Sequence, residues 1–457
     1  MKAAILKKSV VTLLFLVMTM VLTPSLIMAE EAAPPASAPA VAAAIPAAPA
    51  PAPKIDTGDT AWMIVATAMV MLMSIPGLAL FYGGLSKTKD TLNTMAMTFV
   101  TFCIVSVLWV IYGYSFAFVG DIRGIIGDAS RLFLKGIGPN SISDGAKTIP
   151  EYIFIVYQLT FAAITVALAS GAYIERMKFS AWVIFSVLWF TVVYMPVAHW
   201  VWGGGFLAKL GALDFAGGTV VHINAGIAAL VGALVLGKRK AKAIIPGNLT
   251  LVVTGAGLLW FGWFGFNAGS ALAANGLAGA AFINTNTATA VAALAWLFVE
   301  WMHSGKPTVL GLASGAVGGL VAITPAAGFV NIGGAIFIGI AAGIIPFFAV
   351  AKLKPMFGYD DTLDAFGIHG IGGTIGALLT GVFADPAINE AGKGLLYGNP
   401  GQLWTQFIAV AVTLVYSGVM TFIIFMIIKA VVGLRVGSEE ETIGLDESEH
   451  GERAYNS

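Results

Sequence analysis

The sequence predicts an all-α polytopic membrane protein with eleven transmembrane helices. Hydrophobic residues make up 58% of the 457 residues and charged residues only 11%, and the mean hydropathy is +0.88, a combination that fits no ordinary soluble domain. Apolar segments close to the roughly 20 residues that a helix needs to cross a bilayer recur from residue 59 onward. The formal net charge is zero, and without a long basic cluster no nucleic-acid partner is expected.

The first residues have the layout of a secretory signal peptide. Three lysines precede an apolar run over residues 10–28, and the small residue Ala29 follows it. We predict that residues 1–29 are removed; an uncleaved first helix is the alternative, because the run is close to spanning length. Residues 30–58 are rich in Ala and Pro and hold too few large side chains to bury a core, so a disordered periplasmic segment is predicted there.

The predicted transmembrane domain covers residues 59–435 and contains eleven apolar spans. They are 60–83, 94–118, 150–173, 179–199, 217–237, 249–271, 280–302, 308–326, 331–351, 364–384 and 403–429. With the start of the domain outside, fourteen of the 24 Lys and Arg residues fall on the inside, seven on the outside and three in the signal peptide. Because positively charged loops stay cytoplasmic, we predict an outside N-terminus and a cytoplasmic C-terminal tail, 436–457. The tail is acidic and is expected to be solvated.

Glycine is in excess, with 55 residues where an average usage of about 7% gives roughly 32. Several glycines fall four residues apart within the predicted spans: Gly311, Gly315 and Gly319, Gly339 with Gly343, and Gly372 with Gly376. This spacing predicts close approach of helix backbones.

Two histidines in apolar spans are the first candidates for a functional site. His222 lies in the fifth predicted span and His369 in the tenth, and each is followed four residues later by a glycine, Gly226 and Gly373. An ionisable side chain at membrane depth is costly and usually faces a bundle interior or a pore. The matching positions favour a five-plus-five inverted repeat that brings the two rings together at a pore centre. Two separate core histidines, each bonded to backbone carbonyls, are the alternative.

Four motifs closely resemble those of the ammonium transporter (Amt) family: Asp214 to Gly226, Gly262 to Ser270, Phe366 to Gly370, and His450 to Asn456. The resemblance runs from about residue 56 to the end. It implies a homotrimer in the cell inner (cytoplasmic) membrane, with eleven helices and one conduction path per subunit, that takes up ammonium as a nitrogen source. It also implies contact with membrane lipid and with a PII-type signalling protein at the cytoplasmic face, and neither enzyme activity nor a cofactor.

The resemblance assigns roles to individual positions. The residues that match the outer recruitment site and its nearby acidic group are Trp202, Ser270, Phe161 and Asp214. The residues that match the stacked gate are Phe161 and Phe266, and those that match the pore and proton relay are His222 and His369.

The chemistry of these residue types agrees with the assignment. An aromatic face attracts a small cation by roughly 0.5–2 kcal/mol, and a hydroxyl such as that of Ser270 accepts the directional hydrogen bonds that ammonium donates. A bare ion in an apolar pore costs tens of kcal/mol, whereas an alkylammonium with a pKa near 10.4 loses its proton at pH 7 for about 4.6 kcal/mol. We therefore predict deprotonation, conduction of NH3 past the histidines and co-transfer of the proton, so that uptake is electrogenic.

Three alternatives stay open: an electroneutral gas channel of the Rhesus type, an ammonium sensor or transceptor, and a membrane-embedded metalloenzyme. The last lacks a His-Glu-x-x-His motif. Asp214 precedes His222 by eight residues, about 12 Å along an ideal helix, so a helix N-cap is favoured over a direct proton shuttle unless Gly217 and Gly218 distort the chain. His199, beside Trp200, is expected at the membrane interface rather than in a site.

Overall fold

The structure is a computed structural model that describes residues 54–240 and 245–455. The predicted signal peptide, 1–29, lies outside the described residues, as does most of the Ala/Pro-rich segment. Order begins earlier than residue 59, because the side chain of Asp56 accepts a 2.9 Å hydrogen bond from the backbone N–H of Asp59, and the backbone N–H of Asp56 donates to the carbonyl of Thr148 (2.7 Å). An acidic N-cap therefore starts the first helix, and the prediction of disorder up to residue 58 is wrong for residues 56–58.

Ten helices within the described residues are long and apolar enough to cross a membrane, and a shorter apolar helix, α8, lies among them. In chain order they are α1 (Thr57–Leu85), α2 (Thr91–Phe118), α3 (Glu151–Ala172), α4 (Phe179–Leu210), α5 (Gly218–Leu236), α6 (Leu249–Gly269), α7 (Gly276–Ser304), α8 (Val309–Ile323), α9 (Ile332–Phe357), α10 (Phe366–Phe383) and α11 (Pro400–Val431). Each predicted span coincides with one of these helices, and the predicted all-helical membrane class is confirmed. Helix α8 has only 15 residues.

The remaining regular elements are short. A two-stranded antiparallel ribbon of β1 (Ile142–Ser143) and β2 (Ala146–Pro150) joins α2 to α3. Single 3-10 turns occur at Leu132–Leu134 and Leu395–Tyr397. Helix α4 is interrupted at residues 202–205, and two short helices, α12 (Ser438–Ile443) and α13 (Leu445–His450), follow the last span.

Glycines bring α8 and α9 into backbone contact with α7. A β-carbon on Gly315 of α8 would lie 2.5 Å from Cβ of Trp296 and 3.0 Å from the carbonyl oxygen of Ala292, and one on Gly343 of α9 would lie 2.5 Å from that same oxygen. Neither helix has room for a larger residue there. The predicted close approach of helix backbones is confirmed at these positions.

The acidic tail packs onto the bundle instead of standing in solvent. Glu441, Leu445 and Asp446 are 6%, 0% and 1% exposed. The backbone N–H of Leu445 donates to Asp90 Oδ1 (2.8 Å), and Asp446 Oδ1 accepts from the backbone N–H of Asn93 (2.8 Å). The prediction of a solvated tail is wrong, because the tail donates a backbone N–H to Asp90 on the loop between α1 and α2, and its Asp446 carboxylate accepts a backbone N–H at the start of α2. We call this end of the bundle the tail end.

Candidate functional site

A cavity of about 260 Å³, the vestibule, lies where α2, α3 and α6 meet the break in α4. The residues that line it are Phe118, Gly145, Phe154, Gln158, Phe161, Val201, Trp202, Phe215, Ser270 and Leu272. Three of the four residues predicted for recruitment, Trp202, Ser270 and Phe161, are among them. The structure thus gathers one indole, several phenyl rings and one hydroxyl around a space large enough for a small cation with a few waters.

Aromatic rings follow one another from the vestibule toward the bundle interior. The ring of Trp202 meets that of Phe161 edge-on, with centroids 5.8 Å apart and planes at 86°. Phe161 stacks on Phe266 at 4.0 Å and 18°, and both are at most 1% exposed. Phe266 in turn lies 6.2 Å from the ring of His222. At a separation of 4.0 Å the two phenyl rings are in van der Waals contact, so nothing fits between them.

His222 and His369 face each other beneath these rings. Their Nδ1 atoms are 3.3 Å apart, their ring planes are stacked at 21° with centroids 5.4 Å apart, and they are 1% and 4% exposed. The alternative of two separate core histidines is therefore wrong. A hydrogen bond between two ring nitrogens needs one donor and one acceptor. Among the described residues the Nε2 atom of His222 has no hydrogen-bond partner.

The glycines that follow the histidines explain how the two helices come so close. A β-carbon on Gly226 of α5 would overlap the backbone of Gly370 on α10, and one on Gly373 would lie 3.0 Å from Cβ of His222. Both histidines also sit in a turn of π-helix at the start of their spans. The close contacts at Gly226 and Gly373 therefore set the distance between the imidazoles.

Asp214 caps α5 and does not line the vestibule. Its carboxylate accepts backbone N–H groups at residues 217 (2.8 Å), 218 (2.5 Å), 219 (2.8 Å) and 220 (3.2 Å), together with the hydroxyl of Thr219. The left-handed backbone of Gly217, with φ of 116°, turns the chain to allow this. The carbonyl of Asp214 accepts the indole N–H of Trp202 at 2.9 Å. Asp214 is thus hydrogen-bonded to a residue that lines the vestibule, Trp202.

Ser270 presents its oxygen as an acceptor. Its hydroxyl donates to the carbonyl of Phe266 (2.9 Å) and lies 3.2 Å from the hydroxyl of Tyr157, which also donates toward that carbonyl (2.8 Å). With its proton engaged on Phe266, the lone pairs of Ser270 remain for a hydrogen-bond donor in the vestibule.

Sequence reasoning assigned no role to two further residues. Gln158 lines the vestibule, is 9% exposed, and its Oε1 atom has no partner within the described part of the chain. The signal was its position three residues before Phe161, on the same helix face. Asp361 accepts the backbone N–H groups of Ala365 (3.0 Å) and Phe366 (2.8 Å). It stands eight residues before His369, as Asp214 stands before His222, and this matching offset was visible in the sequence.

Over residues 54–240 and 245–455, no group of three His, Cys, Asp or Glu side chains could hold a metal ion. Fold and site together define a multi-pass helical membrane protein with a paired-histidine site buried between its spans. The sequence model of the Ammonium Transporter Family matches residues 61–455, and the chain belongs to that family. The resemblance seen in the four motifs is confirmed.

Individual relatives support the family assignment. The ammonium transporter of Aquifex aeolicus (strain VF5) is 60% identical over 404 residues, which cover 88% of this chain and 94% of the relative. That of Bacillus subtilis (strain 168) is 53% identical over 87% and 98% of the two chains. The crystal structure of Candida albicans Mep2 superposes with a TM-score of 0.79 at 37% identity, over 84% and 88%. A structure described as a sensor Amt protein has a TM-score of 0.79 at 30% identity, over 86% and 98%. The family is one of transporters, not enzymes.

Proposed function

We propose that this protein recruits NH4+ in the vestibule, deprotonates it and conducts NH3 past His222 and His369 with co-transfer of the proton, so that uptake is electrogenic. The observation that carries the proposal is the contact of the two buried imidazoles, Nδ1 to Nδ1 at 3.3 Å, beneath a closed phenyl pair at 4.0 Å. The proposed reaction needs three features: a cation site above, a constriction too narrow for a hydrated ion, and a proton-exchanging pair below.

Recruitment follows from the groups that line the vestibule. The π faces of Trp202 and Phe161 attract any small cation. The lone pairs of Ser270 and of the Gln158 side-chain carbonyl accept N–H donors, which NH4+ has and K+ lacks. Asp214 contributes by holding Trp202 through its carbonyl and by capping α5.

Passage of NH3 rather than NH4+ follows from the cost of an ion between apolar rings, which is tens of kcal/mol. The neutral histidine pair holds one proton between its Nδ1 atoms, so one ring has a bare Nε2 and the other an Nε2–H. When Nε2 of His222 is bare, it accepts a proton, the shared proton moves to Nδ1 of His369, and Nε2–H of His369 releases one. One positive charge then crosses for each NH3.

The remaining features of the proposal are architectural. Helix α8 supplies the eleventh span, and the matching π-turns and aspartate caps of α5 and α10 support the five-plus-five inverted repeat. The Lys and Arg distribution supports a vestibule on the outside and a cytoplasmic tail end. Family resemblance supports a homotrimer in the cell inner membrane, bound to lipid and regulated by a PII-type signalling protein at the cytoplasmic face.

The test is current across proteoliposomes after an ammonium jump, with a potassium jump as control. We expect the parent protein to give a current specific to ammonium. His222→Ala should abolish it, because the proton path is cut, and Ser270→Ala should weaken selection of ammonium over potassium. An undiminished, ammonium-selective current in His222→Ala would contradict the proposed relay.

Two other outcomes point to the alternatives. Ammonia flux without current would indicate an electroneutral channel of the Rhesus type. The absence of both flux and current would favour a sensor. The similarity to a structure described as a sensor Amt protein supports this alternative.

A further inference from the structure

His199 is fully buried within the protein, at 0% exposure. Its two ring nitrogens each face an acceptor. Nδ1 lies 3.1 Å from the carbonyl oxygen of Ala117, and Nε2 lies 3.1 Å from Oδ1 of Asp121. The reason for burial is that the break in α4 folds against the end of α2 and the loop that follows it.

Asp121 is the anchor of this arrangement. Hydrogen bonds from Lys209 and His199 lower the pKa of its carboxyl to about 2, so it is ionised at every physiological pH, and it also accepts the backbone N–H of Gly124 (2.6 Å). A carbonyl and a carboxylate can only accept. Each nitrogen of His199 therefore faces a group that can take up an N–H hydrogen bond. Lys209, whose side chain is 60% exposed, is also bonded to Asp121.

The backbone of His199 holds the turn that carries Trp202. Its carbonyl accepts the N–H groups of Gly203 (3.0 Å) and Gly205 (2.9 Å) where α4 is interrupted. A β-carbon on Gly203 would lie 2.6 Å from Nδ1 of His199, so the turn is pressed against the imidazole. On its other side the ring is bonded to Ala117, the neighbour of Phe118. Both Phe118 and Trp202 line the vestibule.

We propose that His199, anchored by Asp121, is a positioning residue of the recruitment site, which fixes the turn bearing Trp202 against the end of α2 bearing Phe118. The inference rests on the proposed function, because it takes the vestibule to be where ammonium is recruited. His199 does not line the vestibule itself, so it acts through Trp202 and Phe118 and not by contact with the substrate.

The test compares ammonium half-saturation and maximal current in proteoliposomes. Loss of one charge-assisted hydrogen bond should let the turn move, so we expect His199→Gln and Asp121→Ala to raise the half-saturating concentration by about tenfold with a maximal current within about twofold of the parent. Asp121→Asn keeps an acceptor oxygen for His199 and should recover part of the affinity. Lys209→Ala is the matched control and should behave as the parent, because its ion pair is exposed.

Calorimetric titration of the purified parent and variants with ammonium chloride separates the two proposals. A parent that binds ammonium but passes no current defeats the proposal of electrogenic uptake, while weaker binding by His199→Gln and Asp121→Ala than by the parent still supports positioning. Equal half-saturation and equal binding in His199→Gln and the parent would overturn the inference. So would a parallel loss of maximal current and thermal stability in both Asp121 variants, since that pattern marks a residue needed only for folding.

Discussion

At the scale of single residues, the vestibule combines aromatic rings with the polar side chains of Ser270 and Gln158. The residue types at Trp202, Phe161 and Ser270 predicted a cation site, and the structure places all three around one cavity. The environment of Asp214 was harder to predict, because it depends on the left-handed turn at Gly217. The side-chain carbonyl of Gln158, which has no hydrogen-bond partner among the described residues, was not predictable either, since this depends on which groups from distant segments reach it.

The side-chain oxygen of Gln158, for which residues 54–240 and 245–455 supply no hydrogen-bond partner, leads to a prediction about affinity. Gln158→Leu keeps the volume and removes the acceptor, so the half-saturating ammonium concentration should rise by about tenfold, as expected for loss of one hydrogen bond to a charged donor. The maximal current should change little. Proteoliposome currents measured over a range of ammonium concentrations give both values. Gln158→Glu retains acceptor oxygens and should not weaken recruitment. An unchanged half-saturating concentration in Gln158→Leu would show that this carbonyl is not a ligand.

At the scale of secondary structure, apolar length predicted the helices to within a few residues at most boundaries. Local departures from the regular α-helix were not predictable. The π-turns under His222 and His369, the break in α4 and the docked helices α12 and α13 all depend on partners from other segments. The glycine spacing did predict backbone contact, because only a residue without a side chain allows it.

The contact between α5 and α10 leads to a prediction about packing. Gly226→Ala places a methyl group against the backbone of Gly370, which cannot move aside as a side chain would. We expect a loss of about 1–3 kcal/mol in unfolding free energy and a reduced ammonium current, because the helices carrying the histidines are forced apart. Thermal unfolding in detergent and proteoliposome current measure the two effects. Gly257→Ala, where a β-carbon meets nothing within 4 Å, is the matched control. Equal stability in the two variants would contradict the packing argument.

At the scale of the whole molecule, buried ion pairs join segments that are far apart in sequence. Arg239, after α5, contacts Glu175 after α3 (2.9 Å) and Asp360 before α10 (2.7 Å). Lys87, after α1, reaches the same Glu175 at 2.7 Å. Lys240, which follows Arg239 in the chain, donates its backbone N–H to Glu441 of the tail (2.7 Å). Composition and apolar periodicity carry no information about such pairing, so this cluster could not be predicted.

This cluster leads to a prediction about stability. The Arg239 side chain is 2% exposed and that of Asp360 is 15% exposed, so Arg239→Met removes the ion-pair partner of Asp360 and leaves the buried Glu175 with Lys87 alone. Removing one partner of a buried pair typically costs about 3–5 kcal/mol, and thermal unfolding in detergent should show that loss at pH 7. The matched control is Arg453→Met, which breaks a pair whose side chains are 65% and 49% exposed and should cost less than about 1 kcal/mol.

The loss of stability in Arg239→Met should also depend on pH, in a direction that follows from the pKa of Asp360. Burial alone would raise the pKa of Asp360, but the hydrogen bonds and charge of Arg239 outweigh it and lower the pKa from 3.8 to about 2. A depressed pKa in the folded protein stabilises it above the unfolded value, and this contribution is lost as the pH falls from about 4 toward 2. Without Arg239 the effect of burial dominates and the pKa of Asp360 rises. Protonation of Asp360 on acidification should then remove the cost of its unpaired buried charge. The stability deficit of Arg239→Met should therefore shrink as the pH is lowered from 7 to 4. A deficit that stays constant over this range would mean that Arg239 stabilises the bundle by packing and not by its charge.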